Sequence, residues 1–560
     1  MNFSIAASTF YWCLACGLLL LALLLSPRLR NILPASPLFW LTLGSVVVAG
    51  MILLPSKNHL LGDGLSHLGN VGRWFSPTEP LDIFLHQLVG QLTGSLLLSY
   101  HLIAGLAGLF YLFGLYLMSR LGDSPLERWV IIFSFLATAT IQFYFGYVES
   151  YTLLNLFTLY FLYFAWRDLT RDRISKLPLL FFVLAVISHF AGMALLPGVL
   201  YLYRRNLGRG GLYLLGLLIL AAVVAAYLVD ITIITVPLFK TDFSAYTLFS
   251  KKHLLDLAQL LLLITPACWL ALFARRFDRP VKFALVALGG ALLFTLLVDP
   301  KIGAFRDWDL LSIYALPVCL LIALRAPRHL LTVAALVLIV ALRIAPWLVF
   351  NSQPQLEYMK QVVADDLHYT EQYDNGQRLS SWGFLLSEMG DYQAAEAVFL
   401  ERLRYKPNDL HVLNMLVRVE FKLGEFAAAH KHCLQALVFR PNDQDFRYRA
   451  MYTAFRAGNL DKVIELGANS PPGFWQGEHV QRLYAGVLSM QGKDREAIAE
   501  AKKVEIEDID GYLPWILSHA AATIGDSLYA RKMAIEAVEL DSLNQEYQLW
   551  LDSLTALDNR

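Results

Sequence analysis

From Met1 to about Phe350 the chain is a succession of apolar blocks, hydrophobic on every side rather than along one stripe. A spanning helix needs roughly 20 apolar residues, and blocks near that length lie at 8–25, 38–54, 100–118, 129–146, 151–166, 211–229, 255–274, 282–298, 310–324 and 329–349. A further block, 178–203, is interrupted by Ser188-His189-Phe190-Ala191-Gly192 and reads as two short helices. Residues 81–98 have the pattern of an amphipathic helix lying in a membrane interface. From Asn351 onward charged and polar positions alternate with apolar ones at helical spacing. The expectation is an all-α protein with a polytopic transmembrane domain (1–350), a linker (351–375) and a second helical domain (376–560).

The second domain is periodic. Gly390, Gly424, Gly458 and Gly492 recur every thirty-four residues, and Gly525 falls one residue short. Ala395, Ala429 and Ala497 keep step with them, as do Pro407 and Pro441, while Val463 stands where the third repeat should have alanine. A small residue that lets two helices cross closely, an aromatic that fills the gap and a terminating proline resemble the tetratricopeptide repeat. About five repeats fit between 376 and 557, making an α-solenoid. Such arrays present concave surfaces to extended ligands, usually polypeptides. A purely stabilising or dimerising role is the alternative.

Charge sets the orientation of the first domain. One set of connections holds Arg28, Arg30, Arg120, Arg128, Arg167, Arg171, Arg173, Lys176, Arg204, Arg205, Arg209, Arg275, Arg276, Arg279, Lys282, Arg325 and Arg328. The other holds Lys57, Arg73, Lys240, Lys251, Lys252, Lys301 and Arg306. Cytoplasmic loops collect Lys and Arg, so the first set is cytoplasmic; the alternation requires about twelve crossings, with both termini outside. The expected location is a bacterial inner membrane, with the repeats on the periplasmic side. The first span, near 8–25, lacks the basic flank and cleavage site of a signal peptide and reads as uncleaved. Over the whole chain 57% of residues are hydrophobic and 16% charged, with no net charge. That balance gives nucleic-acid binding no support. Cys13, Cys16, Cys268, Cys319 and Cys433 have no disulfide or zinc spacing.

All unusual polar content then lies on the non-cytoplasmic side. In Leu61-Gly62-Asp63-Gly64 the glycines force a turn that leaves the Asp63 carboxylate uncovered at a span end. An ordinary glycine–aspartate turn is the alternative reading. His67, Trp74 and Glu79-Pro80-Leu81-Asp82 follow. His59, Asp63 and His67 have metal-binding side chains, but the glycines break the helix that would align them. No metal site is assigned, although a divalent cation is compatible with the loop. Asp299-Pro300-Lys301 and Phe305-Arg306-Asp307-Trp308-Asp309 crowd cations and carboxylates into one loop. Asp307 or Asp309 can cap the helix starting near Leu310; Trp308 suits an interfacial anchor. Glu149 and His189 stand at the outer ends of spans, where ionisable groups are costly and often functional, and where snorkelling or helix capping is an equal alternative.

Together these features resemble the GT-C superfamily of polytopic membrane glycosyltransferases. The likeness is to its protein O-mannosyltransferase-like branch that carries C-terminal tetratricopeptide repeats. It rests on the architecture, on Asp63 in the first outer loop and on the Arg306-Asp307-Trp308-Asp309 loop. Other members often carry paired acidic residues in that loop, where this chain has one aspartate between glycines. The resemblance implies transfer of a sugar from a polyprenyl-phosphate-linked lipid donor to an acceptor, a protein hydroxyl reached through the repeats. Asp63 would be the catalytic base, since an acceptor hydroxyl must lose its proton as the bond forms. Arg306 or Lys301 would bind the donor phosphate against its growing charge. Asp307, Asp309, Glu149, His189 and His67 would support them. Competing readings are a non-enzymatic membrane scaffold and a partner of a polysaccharide export or assembly system, acting through the repeats. A transporter would place ionisable groups near mid-span, whereas Asp230 and Asp299 lie at span ends.

Overall fold

The structure, a computed structural model, describes the chain except residues 1–2, 33, 35, 58–61, 63, 70–71, 205–234, 240–245, 274–276, 301, 353–359, 362–376, 471–473, 475–476, 505–509, 543 and 559–560. The described residues are α-helical with short 3-10 turns, and contain one isolated two-residue β-bridge, Thr235 to Val298. The chain divides into two compact units, Met1–Ser381 and Trp382–Arg560. The boundary falls inside the first repeat helix, Gln377–Glu388. Most of the expected 351–375 linker lies outside the described residues, as does the 211–229 block.

In the first unit, three of the described helices are long and apolar enough to cross a membrane: Leu96–Ser119, Arg279–Leu297 and Leu330–Asn351. Shorter apolar helices are Cys13–Leu25, Pro37–Leu53, Leu177–Ser188, Phe190–Tyr203 and Leu310–Arg325. The expectation of about twelve crossings is therefore corrected to three helices of crossing length. The reason is local, because several apolar blocks are broken. The 129–146 block stops at Leu136, and the Thr138 side chain then caps a 3-10 turn, Ala139–Tyr144. The 178–203 block stops at Ser188, and His189 caps the 3-10 turn Phe190–Leu195. The 255–274 block passes from helix to the 3-10 turn Cys268–Phe273 after Thr265. Hydroxyl and imidazole acceptors satisfy first-turn amides that a continuing helix would have paired. The 81–98 stretch is likewise two elements: the Pro80–Thr93 helix ends at Gly94, whose φ is +72°, and Ser95 caps the next helix.

Packing in this unit is two-sided. Along Leu96–Ser119, Tyr100, Ala104, Ala107, Tyr111 and Leu115 are buried, while Leu102, Leu106, Phe110 and Phe113 are exposed. Pro37–Leu53 exposes Leu38, Leu41, Val46, Ile52 and Leu53. Apolar surface on this scale is unusual for a soluble monomer.

The second unit is built of helix pairs. They are Gln377–Glu388 with Tyr392–Tyr405, Leu410–Leu423 with Phe426–Phe439, Gln444–Arg456 with Leu460–Ala468, Glu478–Met490 with Asp494–Ala501, and Tyr512–Thr523 with Ser527–Leu540, closed by Gln545–Asp558. The turn glycines Gly390, Gly424, Gly458, Gly492 and Gly525 all have φ between +74° and +82°. That left-handed conformation closes a helix C-terminus at little cost only for glycine, which explains their period. The small residues do the packing assigned to them. Ala395, Ala429, Ala497 and Ala530 are fully buried, and a Cβ on Gly383 would come within 2.5 Å of the Phe399 ring. Val463 is buried in the alanine position of the shortened third pair. These helix pairs are tetratricopeptide-like repeats.

Candidate functional site

The polar segments singled out in the sequence come from four parts of the first unit. The chain ahead of Gly62 is fixed by two backbone bonds: Ser56 N–H donates to Phe145 O (2.7 Å) and Lys57 N–H to Asn351 O (2.8 Å). Asn351 is tied to the same region, its Nδ2 donating to Gln142 Oε1 at 3.0 Å. Gly62 then adopts φ +80° against two carboxylates. A Cβ at Gly62 would lie 2.1 Å from Glu149 Oε1 and 2.8 Å from Asp309 Oδ2. Glu149 and Asp309 therefore flank the Cα of Gly62, and both are at most 3% exposed.

Each carboxylate is held differently. Asp309 Oδ1 accepts from Leu310 N (2.9 Å) and caps the 3-10 turn Leu310–Tyr314. Its Oδ2 accepts from the Tyr147 hydroxyl at 3.0 Å, and Trp308 Nε1 donates to that hydroxyl at 3.2 Å. Burial, then the charges of Asp309 and Glu149, pushes the Tyr147 phenol well above its ordinary value, so Tyr147 remains a donor. The Trp308 ring stacks on Phe143 at 5.3 Å. Trp308 is therefore a buried wall of the site rather than an interfacial anchor. Glu149 Oε2 lies 3.5 Å from His67 Nε2, on the short Gly64–Gly69 helix that leaves the turn. Arg306 is 2% exposed in the turn that ends at Asp309, and Asp307, more exposed, donates its amide to Gly303 O at 2.9 Å.

His189 caps its turn by accepting from Ala191 N at 3.1 Å, and its ring lies 4.7 Å from Tyr151. Next to it, Phe190 N–H donates to Thr78 O (2.7 Å), which docks the Ser76–Glu79 loop onto this segment. Burial lowers the His189 pKa to about 4; Glu79 opposes this and His67 adds to it. His189 is thus neutral, a cap within electrostatic reach of the site.

Asp63 and Lys301, the expected base and a phosphate ligand, lie outside the described residues, as does His59. Of the others, Glu149 and Asp309 meet at Gly62, His67 lies against Glu149, and Arg306 stands in the turn that delivers Asp309. Among the described residues no group of three His, Cys, Asp or Glu side chains could hold a metal ion. Asp82, named in the Glu79–Asp82 segment, was given no role by sequence reasoning, and His86 was missed. They stand four apart on the Pro80–Thr93 helix, and both are buried. The available signal was that spacing, which puts them on one helix face.

No family model matches the chain, and no curated protein matches it. Solved structures that resemble it include a thermophilic TPR protein of Thermus thermophilus, at 16% identity and TM-score 0.26, covering 32% of this chain and 99% of that one. Another is YrrB, described as a TPR protein with an unusual peptide-binding site, at 12% identity and TM-score 0.23, covering 31% and 91%. A third is pilF of Pseudomonas aeruginosa, at 11% identity and TM-score 0.26, covering 35% and 91%. At these scores the likenesses carry no argument; the repeat assignment rests on the helix pairs themselves.

Proposed function

We propose that the first unit is a multi-pass GT-C-type membrane glycosyltransferase. It moves a sugar from a polyprenyl-phosphate-linked donor to a protein hydroxyl on the outer face of a bacterial inner membrane. The observation that carries this reading is the convergence at Gly62. Buried Glu149 and Asp309 close around Gly62, the residue before Asp63 in the sequence, with Arg306 three residues from Asp309. Both carboxylates are kept buried by partners, Asp309 by Leu310 N and Tyr147 and Glu149 by His67, and buried ionisable groups brought together at one turn are candidates for chemistry. The broad apolar surface of the unit supports placement in lipid.

In the reaction, the acceptor oxygen attacks the anomeric carbon from the face opposite the phosphate. The acceptor O–H proton passes to the Asp63 carboxylate. The carbon–oxygen bond to phosphate breaks, and the leaving phosphate keeps the electron pair. Arg306, or Lys301, offsets that charge; the guanidinium offers a planar fork matched to phosphate oxygens. Glu149 and Asp309 fix the turn, and His67 partners Glu149. Direct displacement by one oxygen gives inversion at the anomeric carbon. The repeats hold a polypeptide acceptor, or a partner that presents one, and raise its local concentration as tethering does.

The test is Asp63→Asn, which keeps the volume and turn chemistry and removes the charge. With a radiolabelled polyprenyl-phosphate sugar in membranes holding equal amounts of protein, transfer should fall about 10²–10⁴-fold. Unchanged transfer overturns the assignment.

A further inference from the structure

The Pro80–Thr93 helix is inside out. Its buried residues are Asp82, Ile83, His86 and Gln87, while Phe84, Leu88 and Leu92 are exposed. Asp82 is 0% exposed, and among the described residues neither carboxyl oxygen has a hydrogen-bond partner. Its neighbour is His86, with Nε2 at 3.5 Å from Oδ2. His86 is 2% exposed and stacks on Tyr100 at 3.6 Å between centroids.

The hydrogen-bond directions fix where the protons are. The Ser99 hydroxyl gives its proton to Leu96 O at 2.6 Å, so toward His86 its oxygen can only accept. His86 Nδ1, 3.3 Å from Ser99 Oγ, is then the N–H donor. Nε2 is left as the bare acceptor facing Asp82. An aspartate anion there would be a fully buried charge with no donor among the described residues, which desolvation strongly disfavours. A protonated Asp82 has one O–H to give, and Nε2 lacks a donor. Burial, followed by the Glu79 charge, moves the Asp82 pKa well up, and burial, followed by His67, holds the His86 pKa near 3, so both shifts favour the neutral forms that the hydrogen-bond directions require.

From this couple the contacts run to the site. The Tyr100 ring that stacks on His86 lies 6.3 Å from the His67 ring, and His67 meets Glu149 at 3.5 Å. We infer that Asp82 and His86 are positioning residues of the transfer site: a neutral carboxylic acid–imidazole couple that holds Tyr100 and His67, and through His67 the Glu149 carboxylate at Gly62. The inference rests on the proposed function for its kinetic readout, but not for its protonation state.

The experiment compares Asp82→Asn with Asp82→Leu. Asparagine keeps a donor toward His86 Nε2, so transfer should stay within about threefold of wild type; leucine leaves a buried acceptor unpaired, and kcat should fall about tenfold or more with KM little changed. Infrared spectra of the purified full chain at neutral pH should show the carbonyl stretch of a protonated carboxylic acid, lost in Asp82→Asn. If Asp82→Asn falls as far as Asp63→Asn, Asp82 works as an anion and the inference is overturned while the proposed function stands. A wild-type protein without the protonated band also overturns it. Should Asp82→Leu fail to fold, the asparagine variant and the spectrum still decide. If Asp63→Asn transfers normally, the function fails, and the infrared band alone judges the couple.

Discussion

Replacing Gly62 by alanine tests the centre of the proposed site, and the chain carries its own control. Gly62 and Gly72 both have left-handed backbones, φ +80° and +84°. An L-residue in that region costs roughly 1–2 kcal/mol at either position. Their surroundings differ. A Cβ at Gly72 meets nothing within 4 Å, whereas one at Gly62 falls 2.1 Å from Glu149 Oε1 and 2.8 Å from Asp309 Oδ2. Asp309 is pinned by Leu310 N and the Tyr147 hydroxyl, so the carboxylate that yields is Glu149, swinging away from His67. The two substitutions therefore share the backbone cost, and their difference isolates the displacement. A shift of about 1 Å in a positioning group costs about 10²-fold in rate, so Gly62→Ala should lose about that much in kcat/KM while Gly72→Ala stays near wild type. The assay is sugar transfer from the polyprenyl-phosphate donor by purified protein, with thermal midpoints measured in the same detergent. Equal transfer rates in the two variants, at similar midpoints, would refute the claim that Glu149 and Asp309 shape a reaction site at Gly62.

Two further predictions address placement and packing. In a cysteine-free background, Arg73→Cys should react with an impermeant thiol reagent in intact cells and Arg173→Cys should not; both positions are exposed in the structure, and the reverse pattern removes the outer-face assignment. In the repeats, a Cβ at Gly486 would approach Leu513 to 2.4 Å and the Phe455 ring to 2.9 Å, so Gly486→Ala should cost about 1–3 kcal/mol of overpacking in denaturant unfolding of the repeat unit, and an unchanged midpoint would contradict the packing.

What could be read along the chain was what one residue type enforces locally. A left-handed helix stop demands glycine, so five glycines with φ near +78° announce the repeat without any knowledge of packing. Crowded polar loops were also visible, and the structure brings Glu149 and Asp309 from two of them to Gly62, with His67 against Glu149. The interruptions of the apolar blocks were not legible, because hydrophobicity summed over a window is blind to a cap. Thr138 and His189 end their helices by accepting an amide hydrogen two residues on, at a small cost in apolar character. Asp82 and His86 were hidden by a deeper assumption. A polar stripe on an amphipathic helix ordinarily faces water, so the reading of 81–98 as an interfacial helix drew no attention to their spacing. Here the exposed stripe is Phe84, Leu88 and Leu92, and the polar one packs inward. Where the surroundings are apolar the sense of amphipathicity inverts, and ionisable residues kept inward at that cost become functional candidates. In blocks of this kind, polar residues recurring at helical spacing beside a site loop should be read as facing the protein.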